Sequence, residues 1–238
     1  MKQLLNRLIN HETITKQEAR DVLVNISEGK YNSSQIASFL TVYMMRSITV
    51  EELEGFRDAL LDLCIAVNLK DYNPIDLCGT GGDGKDTFNI STLSSFVTAG
   101  AGVNVTKHGN YGGSSSCGSS NVMEHLGIKF SNDTDFLKRC IDKAGICVLH
   151  APLFHPAMKN VANARKIVGG RTAFNLLGPL TNPAMVKNQL IGVFSEDYQK
   201  RIVKILKRKN AETVMVVRSD DGMDELSTTS KNQICMLK

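Results

Sequence analysis

No stretch of this 238-residue chain approaches the ~20 consecutive apolar residues that a membrane-spanning helix requires. The N-terminus, MKQLLNRLINHE, interrupts its apolar residues with charge and so fits neither a signal peptide nor an anchor. Among the six cysteines (Cys64, Cys78, Cys117, Cys140, Cys147 and Cys235) there is no CxxC pair and no metal-ligand spacing. They read as free thiols in a reducing compartment. Low-complexity tracts are missing, and neither sign of charge is in large excess, with 28 Lys and Arg against 24 Asp and Glu. A net charge of +4 suits an anionic ligand but is far too small to argue for nucleic acid. Together these absences predict a cytoplasmic globular protein with neither a membrane nor a nucleic-acid partner. The length allows one large α/β domain or two smaller ones.

The first seventy residues read as helices. Leu4, Leu5, Leu8 and Ile9 form an apolar stripe. Thr15 with Glu18 and Thr49 with Glu52 have the spacing of capping boxes, and SSQIASFLTVYMM between them makes a third helix. The texture changes at Asn73-Pro74. Beyond it PIDLC, VNVTK, ICVLHA, QLIGVF and TVMVVRS read as buried strands, with helical stretches between them. That alternation predicts βαβ units and a mostly parallel sheet, with ligands at the carboxyl ends of the strands. The expected division is a helical domain over residues 1–72, joined by a later segment near 165–185, and an α/β domain over 73–238.

Four features at strand ends or helix starts carry chemistry. In DLCGTGGDGKDTFNIST, from Asp76 to Thr92, a strand leads through Gly79, Gly81, Gly82 and Gly84 into a helix beginning near Asn89. This order presents backbone N–H groups and the positive end of a helix dipole to an anion. It is neither a Walker A loop nor a GxGxxG fingerprint. A second loop, KHGNYGGSSSCGSS, adds Lys107, His108 and a cluster of serines, with Ser119 placed to cap the following helix. Asp224-Glu225, after TVMVVRS, can hold a hard cation such as Mg²⁺, although alone the pair would read as a solvated acidic turn. In HPAMKNVANARKIVGGRTAFNLLGPLTNP, Arg165 can grip a carboxylate. The bases of KRIVKILKRK read as the wet face of an amphipathic helix.

Taken in order, GTGGDGKDTFNIST, KHGN with its serines and GSSNVMEHLG, HPAMKNVANARK, RTAFNLLGPLTNP and the later Asp-Glu pair resemble the anthranilate phosphoribosyltransferases over essentially the whole chain. The resemblance implies a helical domain with an α/β domain of the nucleoside phosphorylase/phosphoribosyltransferase type, an active site at the hinge, and a homodimer. It implies transfer of phosphoribose from 5-phosphoribosyl-1-pyrophosphate (PRPP) to the amine of anthranilate. The PRPP contacts it implies begin with Gly79, Gly82, Asp83 and Thr87, and continue through Asn89, Ile90, Ser91 and Thr92. In the second loop they comprise Lys107, His108, Gly109, Asn110, Tyr111, Gly112, Gly113, Ser114, Ser115 and Ser119. Anthranilate contacts fall on Gly79, His108, Asn110, His155, Arg165 and Gly178. Metal contacts fall on Ser91, Asp224 and Glu225, with two Mg²⁺ per active site, and Asp83 joins the metal-diphosphate cluster.

Tyr111 departs from the arginine that many members carry after KHGN. Members also continue with further strands and helices beyond the acidic pair, so this α/β domain is expected to be incomplete at its C-terminus, with an uncovered sheet face. A pyrimidine-nucleoside phosphorylase, or a non-catalytic or truncated relative, are the competing expectations.

Overall fold

The structure is a computed structural model that describes residues 1–112, 117–209 and 211–238. The chain divides into two compact units, one comprising residues 1–64 with 155–177 and the other 65–154 with 178–238.

The first unit is helical. It contains α1 (Lys2–Ile9), α2 (Lys16–Ser27), α3 (Ser33–Met45), α4 (Val50–Asp62) and α9 (Lys159–Val168). Thr15 and Thr49 cap α2 and α4 as reciprocal boxes with Glu18 and Glu52, and Asn32 with Gln35 does the same for α3. Each box satisfies two backbone N–H groups that the first helical turn leaves without partners. Helices α2 and α4 cross closely because Gly55 has no side chain; a Cβ there would stand 2.3 Å from the Lys16 carbonyl oxygen. The core is aromatic: Phe39 packs edge-on against Tyr43 and Phe56, and Phe56 stacks on Phe174 at 5.5 Å. Such pairs each add about 0.5–1.5 kcal/mol beyond the area they bury. The late segment 155–177 is therefore core to this unit, and Asn160 also ties α9 to the last carbonyls of α2.

The second unit is a six-stranded sheet. Its strands are β1 (Ile75–Gly79), β2 (Val105–Gly109), β3 (Ile146–His150), β4 (Asn188–Gly192), β5 (Thr213–Ser219) and β6 (Asn232–Leu237). The order is β3-β2-β1-β4-β5-β6, parallel except for antiparallel β6. The connecting helices are α5 (Ile90–Gly100), α6 (Ser119–His125), α7 (Thr134–Ala144), the short α8 (Ala151–Phe154) and α10 (Glu196–Arg208). Buried Val214, Val216, Ile191, Ile202 and Ile205 fill the sheet near α10. Lys200, Lys204, Lys207 and Arg208 of that helix are exposed, away from its buried residues, as its amphipathic spacing requires, while Arg201 is mostly covered and pairs with Asp197. Ile234 and Met236 on β6 are about half exposed, so the edge strand carries an uncovered apolar pair. Strand order reverses between β1 and β4, and in open α/β sheets that switch point opens a crevice for ligands.

Candidate active site

The first loop leaves β1 at Gly79 and turns on Gly81, Gly82 and Gly84, whose φ angles are 64°, 81° and 74°. Side chains rarely adopt this left-handed conformation, so the glycines are a backbone requirement. The loop delivers the chain to Asn89, which sits at the N-cap of α5 without a side-chain cap bond. Without that cap the first N–H groups turn to local acceptors, Ile90 donating to the Phe88 carbonyl at 2.7 Å and Thr92 to the Asn89 carbonyl at 3.1 Å, while the positive end of the helix dipole still favours an anion here. Thr92 Oγ1, in the same turn, is buried without a protein partner among the described residues. Asn89 instead sends Nδ2 to the Cys117 carbonyl at 3.3 Å. Thr87 and Asp83 stand on the loop itself, and Asp83 Oδ1 accepts the Lys85 N–H at 3.2 Å.

The acidic pair reaches this loop from the far end of the chain. After β5 the backbone turns at Gly222 and lays Asp224 across β1 and β4. Gly79 and Gly192 are register partners in those strands. A Cβ on Gly79 would meet Asp224 Oδ2 at 2.7 Å, and one on Gly192 would meet the Asp224 carbonyl oxygen at 1.7 Å. The missing side chains make room for the acidic turn. Asp224 Oδ2 then accepts the Gly81 N–H at 2.7 Å, tying the turn to the glycine loop.

Burial raises the Asp224 carboxyl to about 6, and the nearby Asp83 charge adds to the shift. Burial and Asp224 together raise Glu225 to about 7, while Lys107 and the Ser91 backbone N–H work against that rise. Three carboxylates therefore repel one another at the carboxyl ends of β1 and β5. Among the described residues no group of three or more His, Cys, Asp or Glu side chains is gathered closely enough to cage a metal ion.

Lys107, near the end of β2, is almost fully buried. Its Nζ donates to the Leu77 carbonyl at 2.6 Å and reaches Ser91 Oγ at 3.3 Å. It is a fixed positive charge between β1 and the start of α5. His108 Nδ1 lies 3.0 Å from the Gly178 carbonyl, an acceptor, so Nδ1 carries the proton.

Beyond His108 the second loop folds back onto α6. Ser119 is not the cap it was expected to be. Gly118 holds the N-cap position, and Ser119 is the first helical residue, with its hydroxyl pointed at the Asn110 carbonyl. The physical reason is space, because a Cβ at residue 118 would stand 2.2 Å from the Gly112 nitrogen. Asn121 holds the loop by accepting both the Gly112 and Gly118 N–H groups. Gly109 also lacks room for a side chain, since Ser119 Oγ would be 2.3 Å away. Tyr111 sends its hydroxyl to Glu124 Oε1 at 2.7 Å and packs edge-on against His150, which stacks on Phe130. Gly113, Ser114 and Ser115 lie outside the described residues.

Ile90, Ser91 and Thr92 of α5 are thus gathered with the glycine loop, Lys107 and the acidic turn inside one unit. His155 and Arg165 belong to the helical unit. His155 is buried before Pro156, and Arg165 Nη2 donates to Asn175 Oδ1 at 3.2 Å. Burial lowers the Arg165 pKa, and among the described residues no carboxylate pairs with it. Sequence reasoning missed Asp76, Asn182 and Gln189, which form a buried polar network between Gly178 and the strands. The available signal for two of them was a polar side chain within PIDLC, Asp76, and at the start of QLIGVF, Gln189; Asn182 sits in the turn before β4 and carried none.

A helical unit, and a mostly parallel sheet whose switch point carries a glycine loop leading into a helix, make this an α/β protein with a site suited to a phosphate-bearing ligand. The helical bundle model of the glycosyl transferase family matches residues 2–64, and the family's a/b domain model matches residues 71–238. The anthranilate phosphoribosyltransferase of Christiangramia forsetii is 66% identical over 233 residues, spanning 98% of this chain and 70% of that protein. The crystal structure of anthranilate phosphoribosyltransferase from Thermus thermophilus matches with a TM-score of 0.87 at 34% identity, covering 98% of this chain and 70% of that one. The Saccharomyces cerevisiae enzyme in complex with PRPP and Mg matches with a TM-score of 0.86 at 26% identity, over 98% and 71%. The chain belongs to the glycosyl transferase family, among the anthranilate phosphoribosyltransferases. Neither a nucleoside phosphorylase nor a non-catalytic relative is favoured by these matches. Among the described residues no helix is long and apolar enough to cross a membrane.

Proposed function

We propose that this chain transfers the phosphoribosyl group of PRPP to the amine of anthranilate, giving N-(5-phosphoribosyl)anthranilate and pyrophosphate. The observation that carries the reading is the acidic turn seated on Gly79 and Gly192 and bonded to the glycine loop. A diphosphate leaving group needs donors for its oxygens and a cation to screen its charge; those two parts meet here. The reaction places the chain in tryptophan biosynthesis, with a homodimeric, cytoplasmic enzyme as the form we assign.

The donor set fits Mg²⁺. Asp224 and Glu225 are carboxylates, Ser91 offers a hydroxyl, and mutual repulsion with Asp83 leaves negative charge without a full counterpart. Too few protein ligands to cage a metal is what Mg²⁺ sites show, because that ion keeps waters and substrate phosphate oxygens. When bound it would screen the charge that develops on departing pyrophosphate. We assign two ions per site.

The chain's own residues do the rest. An aryl amine is already neutral at physiological pH, so the nucleophile needs no strong base. The difficulty lies in expelling pyrophosphate while positive charge builds on the ribose. Amides of residues 82–84 and the positive end of the α5 dipole hold the diphosphate oxygens, with Asn89, Ser91 and Thr92 as hydroxyl and amide partners. Loss of one such donor costs about 2.7–4 kcal/mol. The loop from Lys107 to Ser119 holds the ribose phosphate side. Gly79, His108, Asn110 and Gly178 define the aryl contacts of this unit. In the helical unit Arg165, with no carboxylate of its own, grips the anthranilate carboxylate, and His155 accompanies it. Holding both substrates in line supplies up to about 7–11 kcal/mol of the barrier.

The test is fluorescence-monitored consumption of anthranilate with PRPP and Mg²⁺. Signal should fall with turnover, and Asp224→Asn with Glu225→Gln should remove the Mg²⁺-dependent part. Phosphorolysis of thymidine or uridine with no consumption of anthranilate would overturn the reading.

A further inference from the structure

Asp76 is a carboxylate in the body of β1 with no exposed surface. Its Oδ1 accepts the His108 N–H at 3.1 Å and its Oδ2 accepts from Asn182 Nδ2 at 2.9 Å. Asn182 Nδ2 also donates to the Thr106 carbonyl at 3.0 Å, and its Oδ1 accepts the Ala184 N–H at 2.9 Å. One strand over, Gln189 Nε2 donates to the Pro179 carbonyl at 2.7 Å. Side chains thereby stitch the turn 178–184 to β1, β2 and β4 where no sheet ladder reaches it. Fold stability alone does not ask for this arrangement. Replacing a buried ionic group with apolar residues of like volume is often neutral or stabilising.

Both ends of the network are residues already placed on the aryl side of the site. Asp76 fixes the backbone of His108, whose ring in turn holds the Gly178 carbonyl. Gln189 fixes the next residue, Pro179. We infer that Asp76, Asn182 and Gln189 form a positioning clamp that sets where Gly178 and the His108 ring stand, and so governs anthranilate affinity. The inference rests on the function proposed above, and none of the three residues touches substrate. The groups facing Asp76 are Lys107 and His108 on β2, Cys78 on β1, Cys147 on β3 and Asn182 on the turn. Only the Lys107 charge opposes a second negative group there.

Asn182→Asp supplies the test, because it sets a second carboxylate against Asp76. Two carboxylates in contact cannot both ionise, so the clamp then closes only while a proton is shared. Relative to wild type at the same pH, the anthranilate KM of Asn182→Asp should be raised only a few-fold at about pH 6, because the shared proton cannot also reach the Thr106 carbonyl, and at least about tenfold by about pH 8.5. Combining Asp76→Asn with Asn182→Asp restores a donor facing an acceptor at this contact but not at the Thr106 carbonyl, so the pH dependence should go while the KM stays a few-fold raised at every pH. Should Asn182→Asp not fold, Gln189→Met releases only the Pro179 tether. It should raise the anthranilate KM several-fold while the PRPP KM changes by less than about twofold.

Folded variants with unchanged anthranilate KM, or with both substrates' KM values raised alike, overturn the clamp. An inactive wild type overturns the function proposed above and the clamp's purpose with it, so the two failures are told apart.

Discussion

Gly192 looks expendable, being the last residue of a buried strand, yet it is the sharpest place to test how the acidic turn is held. A methyl group at this position would stand 1.7 Å from the Asp224 carbonyl oxygen and 2.9 Å from its carbon. Cβ atoms do not approach other atoms closer than 3.0 Å, so the Asp224 backbone must retreat by about 1.3 Å in Gly192→Ala. Strand β4 cannot absorb that shift, because it is laddered to β1 on one side and to β5 on the other. The turn must move instead. Misplacing a catalytic group by about 1 Å can cost about 100-fold in rate, or roughly 2.7 kcal/mol.

Gly79→Ala is the graded control. Its methyl would meet only the tip of the Asp224 side chain, at 2.7 Å, and a carboxylate can rotate away. The cost is the bond from the Gly81 N–H, about 1.5–3 kcal/mol for a hydrogen bond to a charged group. Steady-state assays over a Mg²⁺ titration should show Gly192→Ala losing at least about 100-fold in kcat/KM and needing more Mg²⁺ to saturate. Gly79→Ala should lie between it and wild type. A folded Gly192→Ala with kcat/KM within about threefold of wild type would show that the acidic turn does not depend on this close approach, and the reasoning would fail.

Arg165→Ala should raise the anthranilate KM far more than the PRPP KM, and equal rises would remove Arg165 from the carboxylate grip. PRPP and Mg²⁺ should bind with positive coupling, each raising the other's affinity by the same factor, about 5–150-fold by calorimetry; independent binding would sink the shared site. Glu52 is fully buried, takes the Ile14 and Thr49 N–H groups and pairs with Arg46, so Glu52→Gln should cost about 3–5 kcal/mol in denaturant unfolding. The Glu18 carboxyl is held down at about 2 by Arg7 and the Thr15 N–H. A depressed acid stabilises above its unfolded value, so this contribution should be complete above about 4.5 and fade as pH falls toward about 2. In Arg7→Gln that acid limb should shift upward in pH, modestly because the pair is part-exposed.

Local grammar carried most of the fold. Capping boxes at Thr15 and Thr49 and the apolar span Ser33–Met45 are short-range signals, readable because helix bonds join residues four apart. The five parallel strands were nearly as plain, since strands buried on both faces read as mainly apolar runs, here interrupted by Asp76 and Lys107. Strand β6 escaped notice because NQICML is mostly exposed and pairs antiparallel at an edge, where neither a continuous run nor strict alternation is required. Asn32 with Gln35 follows the same capping rule as the two threonines, an equally local signal.

The site was legible in its parts and illegible in its joints. A dense glycine loop before a helix suggests an anion whatever surrounds it, but not every glycine there serves the anion. Gly79 makes way for a carboxylate from far along the chain, and its partner Gly192 carried no signal inside QLIGVF. Only the register between β1 and β4 shows that the two glycines form one floor. Charge tells the same story. Asp83, Asp224 and Glu225 repel one another, and the buried ammonium near them is already committed to Leu77 and Ser91. An anionic diphosphate laid against that surplus would be expelled without a cation between them. The glycine loop alone suggests anion binding; on the function proposed above, the acidic turn resting on it would bring a divalent cation into the same binding event.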